Sequence, residues 1–179
     1  MRIQSITLQD FRNHQLTQLD FKPGVTAIIG RNGRGKTNIV EAVQYCATLS
    51  SHRVSSDSPL IRWGCTQASI DLHVQKHDRS VNIGITIHAN SSNQVVLNGS
   101  QTKKPRDILG FVNTVVFSPE DLDLVRGEPA TRRKFLDDFC VQLTPRFASV
   151  RSDYDRALRQ RSSLLKSVGR KPLSPSMAS

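Results

Sequence analysis

One run of eight residues carries the clearest chemistry in this chain: Gly30-Arg31-Asn32-Gly33-Arg34-Gly35-Lys36-Thr37. It matches G-x-x-x-x-G-K-[ST] at every fixed position, the spacing of a phosphate-binding loop. Glycines let a backbone curl so that successive amides point inward as an anion nest. A helix beginning near Lys36 adds roughly half a positive charge at its N-terminus. Lys36 is then placed for the β- and γ-phosphates of a nucleotide, and the Thr37 hydroxyl for Mg²⁺. The cofactor-binding residues read from this pattern are Gly30, Arg31, Asn32, Gly33, Arg34, Gly35, Lys36 and Thr37. A glycine-rich turn with an incidental lysine is the alternative, and it does not account for the apolar run before the loop or the helical periodicity after it. The motif separates neither ATP from GTP nor hydrolysis from binding.

The elements around the loop fit its needs. Val25-Thr26-Ala27-Ile28-Ile29 is a nearly continuous apolar run, the pattern of a strand buried on both faces of an α/β sheet. Residues 37–48 have Ile39, Val40, Val43 and Ala47 at helical spacing, which predicts a half-buried helix. Upstream, Ile6 and Leu8, then Leu19 and Phe21, read as strands before a turn at Pro23-Gly24. Asn13-His14 and Asn98-Gly99 read as turns, and the serine-rich stretch 50–58 as a loop.

An antiparallel section follows. Ala68, Ile70, Leu72 and Val74 alternate with polar residues, as do Val81, Ile83, Ile85 and Ile87, with Lys76-His77-Asp78-Arg79 as the hairpin connection. Val95 to Leu97 and Val112 to Phe117 read as further strands. The last third switches to helix: Pro129 opens one with the stripe Phe135, Leu136, Phe139 and Leu143. Thr144-Pro145 reads as the N-cap of another. Its seam of Phe147, Val150, Tyr154, Ala157, Arg161, Leu164 and Val168 predicts roughly 24 residues, on the order of 36 Å. Such a stripe calls for a partner helix, and no later segment supplies one. The expected organisation is a nucleotide-binding head over 1–128, a helical arm over 129–168 and a disordered tail over 169–179.

Composition narrows the class. With 37% hydrophobic and 22% charged residues, the chain carries enough apolar content for a globular core. Nothing approaches the roughly eighteen consecutive apolar residues of a membrane span, and the N-terminus lacks a signal-peptide block. The expected location is cytoplasmic. Three cysteines, Cys46, Cys65 and Cys140, are widely spaced and odd in number, fitting buried or half-buried thiols better than a disulfide framework or a zinc site. Lys and Arg total 25 against 15 Asp and Glu, a formal +10 that attracts polyanions over about 8 Å at physiological salt. Nucleic acid is the first candidate partner and an anionic membrane surface the second.

Phe11-Arg12-Asn13, a hairpin, and then Ile28-Ile29-Gly30-Arg31-Asn32-Gly33 resemble the opening of SMC/RecF-type ABC ATPases. A second stretch, from Pro119-Glu120-Asp121-Leu122 through Gly127-Glu128-Pro129 to Arg132-Arg133-Lys134-Phe135-Leu136-Asp137, is similar to a RecF-family pattern, with Glu128 its one departure. Ser51-His52-Arg53 and Leu60-Ile61-Arg62-Trp63-Gly64 resemble the family's stretch after the first helix. The resemblance spans roughly residues 1–168. It implies an α/β, P-loop ABC-ATPase-type head, a mixed sheet with an antiparallel section, followed by a helical arm. ATP and Mg²⁺ are the implied cofactors. The implied partners are DNA, single-stranded or gapped with a preference for linear single strands, a RecR-type recombination mediator, and a second copy in an ATP-dependent homodimer. The implied roles are DNA replication, recombinational repair and SOS induction. Arg12 becomes a candidate nucleotide contact, with a solvated surface charge as its alternative. Glu120 falls where such proteins carry a γ-phosphate sensor, although a turn after a strand needs no function. Arg132 and Arg133 either bind DNA phosphate or anchor their helix through Asp137 or Asp138.

The resemblance also implies a serine signature, a Walker B aspartate, a catalytic glutamate and a switch histidine, and none follows Val168. No catalytic residue is assigned, and hydrolysis is left open. The expectation is an N-terminal half with the C-terminal half missing: a truncated or frameshifted product, or an incomplete gene model. Its exposed apolar surface should make the chain poorly stable and prone to aggregate. Size-exclusion chromatography and thermal melting check this, and a monodisperse, cooperatively melting monomer would contradict it. A P-loop kinase or GTPase-like switch is the reading from another class. A kinase needs an arginine-rich lid and a GTPase an N-K-x-D base motif, and the sequence has neither. A non-hydrolysing DNA-binding fragment is the third.

Overall fold

Alternating apolar residues build the sheet at the centre of the molecule. The computed structural model describes residues 1–76 and 78–168, apart from the side chains of Glu120, Asp123 and Val168. The tail expected to be disordered from residue 169 onward lies outside the described residues. Six strands pair in the order β2-β1-β3-β4-β5-β6: β1 (Arg2–Phe11), β2 (His14–Asp20), β3 (Gln67–Lys76), β4 (Arg79–His88), β5 (Gln94–Leu97) and β6 (Ser100–Gln101). Every pairing is antiparallel.

The register carries the core. Leu8 lies opposite Ile70 and Ile6 opposite Leu72, while Ile70 and Leu72 face Ile85 and Ile83 on β4. Period-2 alternation therefore places all of these on one face. All six are buried, at 1% exposure or less. Each stabilises the fold by about 1.5–3 kcal/mol relative to an exposed position. The other face carries Thr7, Ser69, Asp71 and His73, all half-buried.

Helix α1 (Lys36–Thr48) covers the apolar face with Ile39, Ala42, Tyr45 and Cys46, all buried. It forms where the periodicity predicts, beginning one residue earlier. A short helix α2 (Asp123–Arg126) precedes α3 (Pro129–Leu143) and α4 (Phe147–Val168). Pro129 opens α3 as expected. Thr144, read as the cap of the last helix, instead closes α3 by donating its amide to Cys140 O at 2.8 Å, and α4 starts only at Phe147. Arg151 ties the two helices together through Asp137 at 3.4 Å and Asp138 at 3.2 Å. Along α4, Phe147 is half-buried but Val150, Tyr154 and Leu164 are at least half exposed, so most of the apolar seam stays open to solvent. No helix among the described residues is long and apolar enough to cross a membrane. Cys46 is buried and Cys65 and Cys140 half-buried, all as free thiols.

Two predicted strands do not form. The run 25–29, read as buried on both faces, is extended but unpaired, with Val25 101% and Ile29 91% exposed. Residues 113–117 behave alike: Val112 is buried, but Val115 and Phe117 are fully or almost fully exposed. A strand is a pairing between backbones rather than a property of one segment, and no described residue offers either run a partner. The sheet present here is consequently the antiparallel one alone. Between residues 114–118, α1 and α3 lies a cleft of about 270 Å³ lined by Gln44, His52, Thr114, Phe135 and Phe139. Buried Gln44 Oε1, His52 Nδ1 and Thr114 Oγ1 have no hydrogen-bond partner among the described residues.

Candidate nucleotide-binding site

The phosphate loop sits at the N-terminus of α1, where its glycines adopt backbone angles that side chains disfavour. Gly30, Gly33 and Gly35 have φ of 156°, 78° and 94°. The last two lie well inside the left-handed region that a Cβ penalises. Gly35 is the N-cap of α1, no side chain caps the helix, and its first turn holds no acidic residue. The positive end of the helix dipole is thus left open to an anion. Gly30 to Arg34 are exposed, and nothing lies within 4 Å of where a Cβ would stand on Gly30 or Gly33.

Lys36 folds over the loop it follows. Its Nζ donates to Gly30 O at 2.7 Å and Arg31 O at 3.0 Å. The ammonium is thereby fixed at the rim of the amide nest, where a polyphosphate would meet it. Thr37 follows in the first turn of α1 with its side chain exposed. Of the eight residues that the motif singles out, Lys36 is thus joined by hydrogen bonds to Gly30 and Arg31, and Thr37 follows it on the exposed side of the helix start.

Asn13 and His14, read from the sequence as a turn, reach this loop from the side. Arg12 and Asn13 form the two-residue link between β1 and β2, closed by the pairing of Phe11 with His14. Asn13 Nδ2 donates to Gly33 O at 3.2 Å, and His14 Nε2 lies 3.1 Å from Gly35 O. Asn38 Nδ2 returns from α1 to Asn13 Oδ1 at 2.8 Å, and Arg53 donates to Asn38 Oδ1 at 2.9 Å. The contacts of Asn13 and His14 with the loop and α1 span 20 to 25 positions, so no local spacing shows them.

Arg12 takes a different course from an open surface charge. Its Nε and NH2 groups donate to Glu41 at 3.0 and 2.6 Å, and NH1 donates to Pro59 O at 3.0 Å. Glu41 lies five residues beyond Lys36 on α1 and is fully buried. Ser51 Oγ and Arg53 NH1 also donate to its carboxylate. Burial would raise the Glu41 pKa, but the hydrogen bonds from Arg12 and Ser51 and the charges of Arg12 and Arg53 outweigh it. The carboxyl is held below the ordinary carboxylate range, ionised at neutral pH. A guanidinium has five N–H groups, and Arg12 engages three of them among the described residues. Glu41 was not legible as a site residue, because one carboxylate on a helix carries no spacing signal.

Of the remaining candidates, Arg132 NH1 donates to Gly127 O at 3.1 Å, anchoring the start of α3. Asp137 and Asp138, offered as its anchors, pair with Arg151 instead, and Asp138 also with Lys134. Arg133 is exposed. The side chain of Glu120 lies outside the described residues.

The model of the RecF/RecN/SMC N-terminal domain matches residues 2–165. The chain belongs to that family. Among RecF/RecN/SMC relatives, it is 50% identical over 168 residues to the DNA replication and repair protein RecF of Nocardioides sp. (strain ATCC BAA-499 / JS614), covering 94% of this chain and 40% of that protein. It is 47% identical to the DNA replication and repair protein RecF of Streptomyces avermitilis, again over 94% of this chain and 45% of the relative. The chain thus spans less than half the length of these curated relatives. A solved structure of the recombination mediator protein RecF with ATP in the RecFOR pathway superposes with a TM-score of 0.91 at 29% identity, covering 98% of this chain and 47% of that one. The expected fold class, the ATPase head of the RecF and SMC families, is therefore established for this part of the chain.

Proposed function

We propose that this chain binds ATP with Mg²⁺ on residues 30–37, as the nucleotide-binding part of a RecF-type DNA replication and repair protein. The observation that carries the reading is the Lys36 ammonium pinned by Gly30 and Arg31 at the mouth of an uncapped helix. Backbone amides and Lys36 would hold the phosphates, and Thr37 would hold Mg²⁺, which supplies charge neutralisation between phosphate oxygens. Arg12 joins the nucleotide side through the guanidinium hydrogens left over from Glu41 and Pro59. ATP is preferred to GTP on the strength of the RecF structure with ATP. Binding is assigned here without hydrolysis.

DNA is the macromolecular partner in this reading. The support is the formal +10 and the similarity to proteins named for DNA replication and repair. A preference for single-stranded or gapped DNA, pairing with a RecR-type mediator, ATP-dependent dimerisation, a role in SOS induction and a cytoplasmic location belong to the same proposal. They rest on the family resemblance. The expected organisation, a head over 1–128 and a helical arm over 129–168, is proposed with them and is supported by the two long helices α3 and α4 that follow Pro129.

Fluorescence anisotropy of labelled DNA against salt tests the DNA arm. Several phosphate contacts should make log K fall steeply with log salt, with a slope of roughly −0.7 per contact on single strands. A flat profile would favour a small-molecule kinase or nucleotide switch.

A further inference from the structure

We infer that the β1–β2 turn is a built part of the phosphate site, with His14 and Asn13 as positioning residues that hold the loop's outward carbonyls so that its amides face the ligand. The consequence for affinity rests on the nucleotide reading above; the geometry does not.

The need for such a clamp follows from the loop itself. An amide nest turns successive N–H groups inward and leaves carbonyls pointing outward, where a side-chain donor can fix them in place of water. A helix start is ordinarily fixed by a Ser, Thr, Asp or Asn side chain at the N-cap, but here the N-cap is Gly35, with no side chain to give. Its carbonyl receives Asn38 N at 2.9 Å and Ile39 N at 3.3 Å from the helix, and His14 Nε2 at 3.1 Å from outside it. Gly33 O receives Asn13 Nδ2. Two consecutive residues of one turn thus tether two glycines of the loop.

The chemistry of His14 suits a fixed tether. A carbonyl only accepts, so Nε2 carries the proton, and Nδ1, 2.8 Å from Thr17 Oγ1, accepts from that hydroxyl in the neutral ring. His14 is only 9% exposed, which limits competition from water.

The fit is close enough to dictate the loop's sequence. A Cβ on Gly35 would stand 2.5 Å from both Asn13 Oδ1 and His14 Nε2. Glycine is required there for the approach of the turn as well as for its φ of 94°. The turn and the end of β1 before it hold left-handed backbone: Asp10 and Arg12 have φ of 49° and 56°, which costs an arginine more than an aspartate. Arg12 N to Leu60 O at 2.7 Å, the Arg12–Glu41 pair and the Arg62–Asp10 pair at 2.8 Å supply that hold.

The test compares His14→Leu with His14→Gln. Both fill the site, but only glutamine keeps an N–H near the position of Nε2. Amide hydrogen exchange on the nucleotide-free chain and titration with fluorescent ATP and Mg²⁺ are read together. In H14L, exchange at residues 36–39 should quicken and ATP affinity should fall, each about tenfold, while β3 and β4 exchange as in the wild type. H14Q should recover most of both. N13A, at an exposed position, should show the same local pattern more weakly. Wild-type exchange and affinity in H14L, equal losses in H14L and H14Q, or faster exchange across β3 and β4 without a local excess in N13A would each overturn the clamp. If the wild type takes no nucleotide, the ATP reading falls, and the exchange contrast still supports or overturns the clamp.

Discussion

Lys36→Ala is expected to weaken binding of a fluorescent ATP analogue with Mg²⁺ by about a hundredfold, leaving the melting temperature nearly unchanged. Charge-assisted hydrogen bonds contribute about 1.5–3 kcal/mol each, so the loss of a lysine that serves two phosphates reaches this range. The two contacts Lys36 makes without ligand are to carbonyls on an exposed loop, so removing them costs the fold little. Wild-type affinity for K36A would remove the phosphate loop from the function. Binding abolished by the alanine would mean that the loop works within these 179 residues.

Glu41→Ala should act in the opposite way, on the fold before the ligand. Its carboxylate is fully buried and collects Arg12 from the β1–β2 turn and Ser51 and Arg53 from one loop. Removing it strands the Arg12 guanidinium, whose side chain is only 17% exposed. A broken buried pair costs about 3–5 kcal/mol, with the lower end appropriate because Arg12 keeps some access to water and Arg53 more. About 3 kcal/mol corresponds to a drop of roughly 10 °C in Tm for a domain of this size. Calorimetry or urea unfolding checks it; a change below about 1 kcal/mol would demote the network to an ordinary surface cluster.

The same carboxylate sets a pH dependence. Its folded pKa lies below the ordinary value of 4.5, so the unfolded chain binds the proton more readily. The stability it provides is fully present above that value and is lost as pH falls through the lower, folded pKa. Urea midpoints below about pH 5 should therefore fall more steeply in the wild type than in E41Q.

How much of this could be read from the residues alone divides by the range of the interactions. The loop from Gly30 to Thr37 was legible because its chemistry is local: glycine angles, a helix start and one lysine are set within eight positions. The strands β1, β3 and β4 were legible because alternation is local as well, and one face of each is buried. Helix α1 followed from its spacing. The run 25–29 misled, because apolar composition reports a segment's preference for a buried strand and says nothing of whether a partner lies beside it. Asn13 and His14 looked like an ordinary turn for the complementary reason. Their partners, Gly33 and Gly35, stand twenty-one or fewer positions away along the chain and meet them only once β1 and β2 fold back and α1 packs onto the sheet. Glu41 likewise acquires its meaning only when the β1–β2 turn and the loop at Ser51–Arg53 converge on the same helix face. The sequence by itself determined which atoms could cradle phosphate. The tertiary structure decided what holds that cradle open, since hydrogen bonds between distant segments depend on packing that no local pattern encodes.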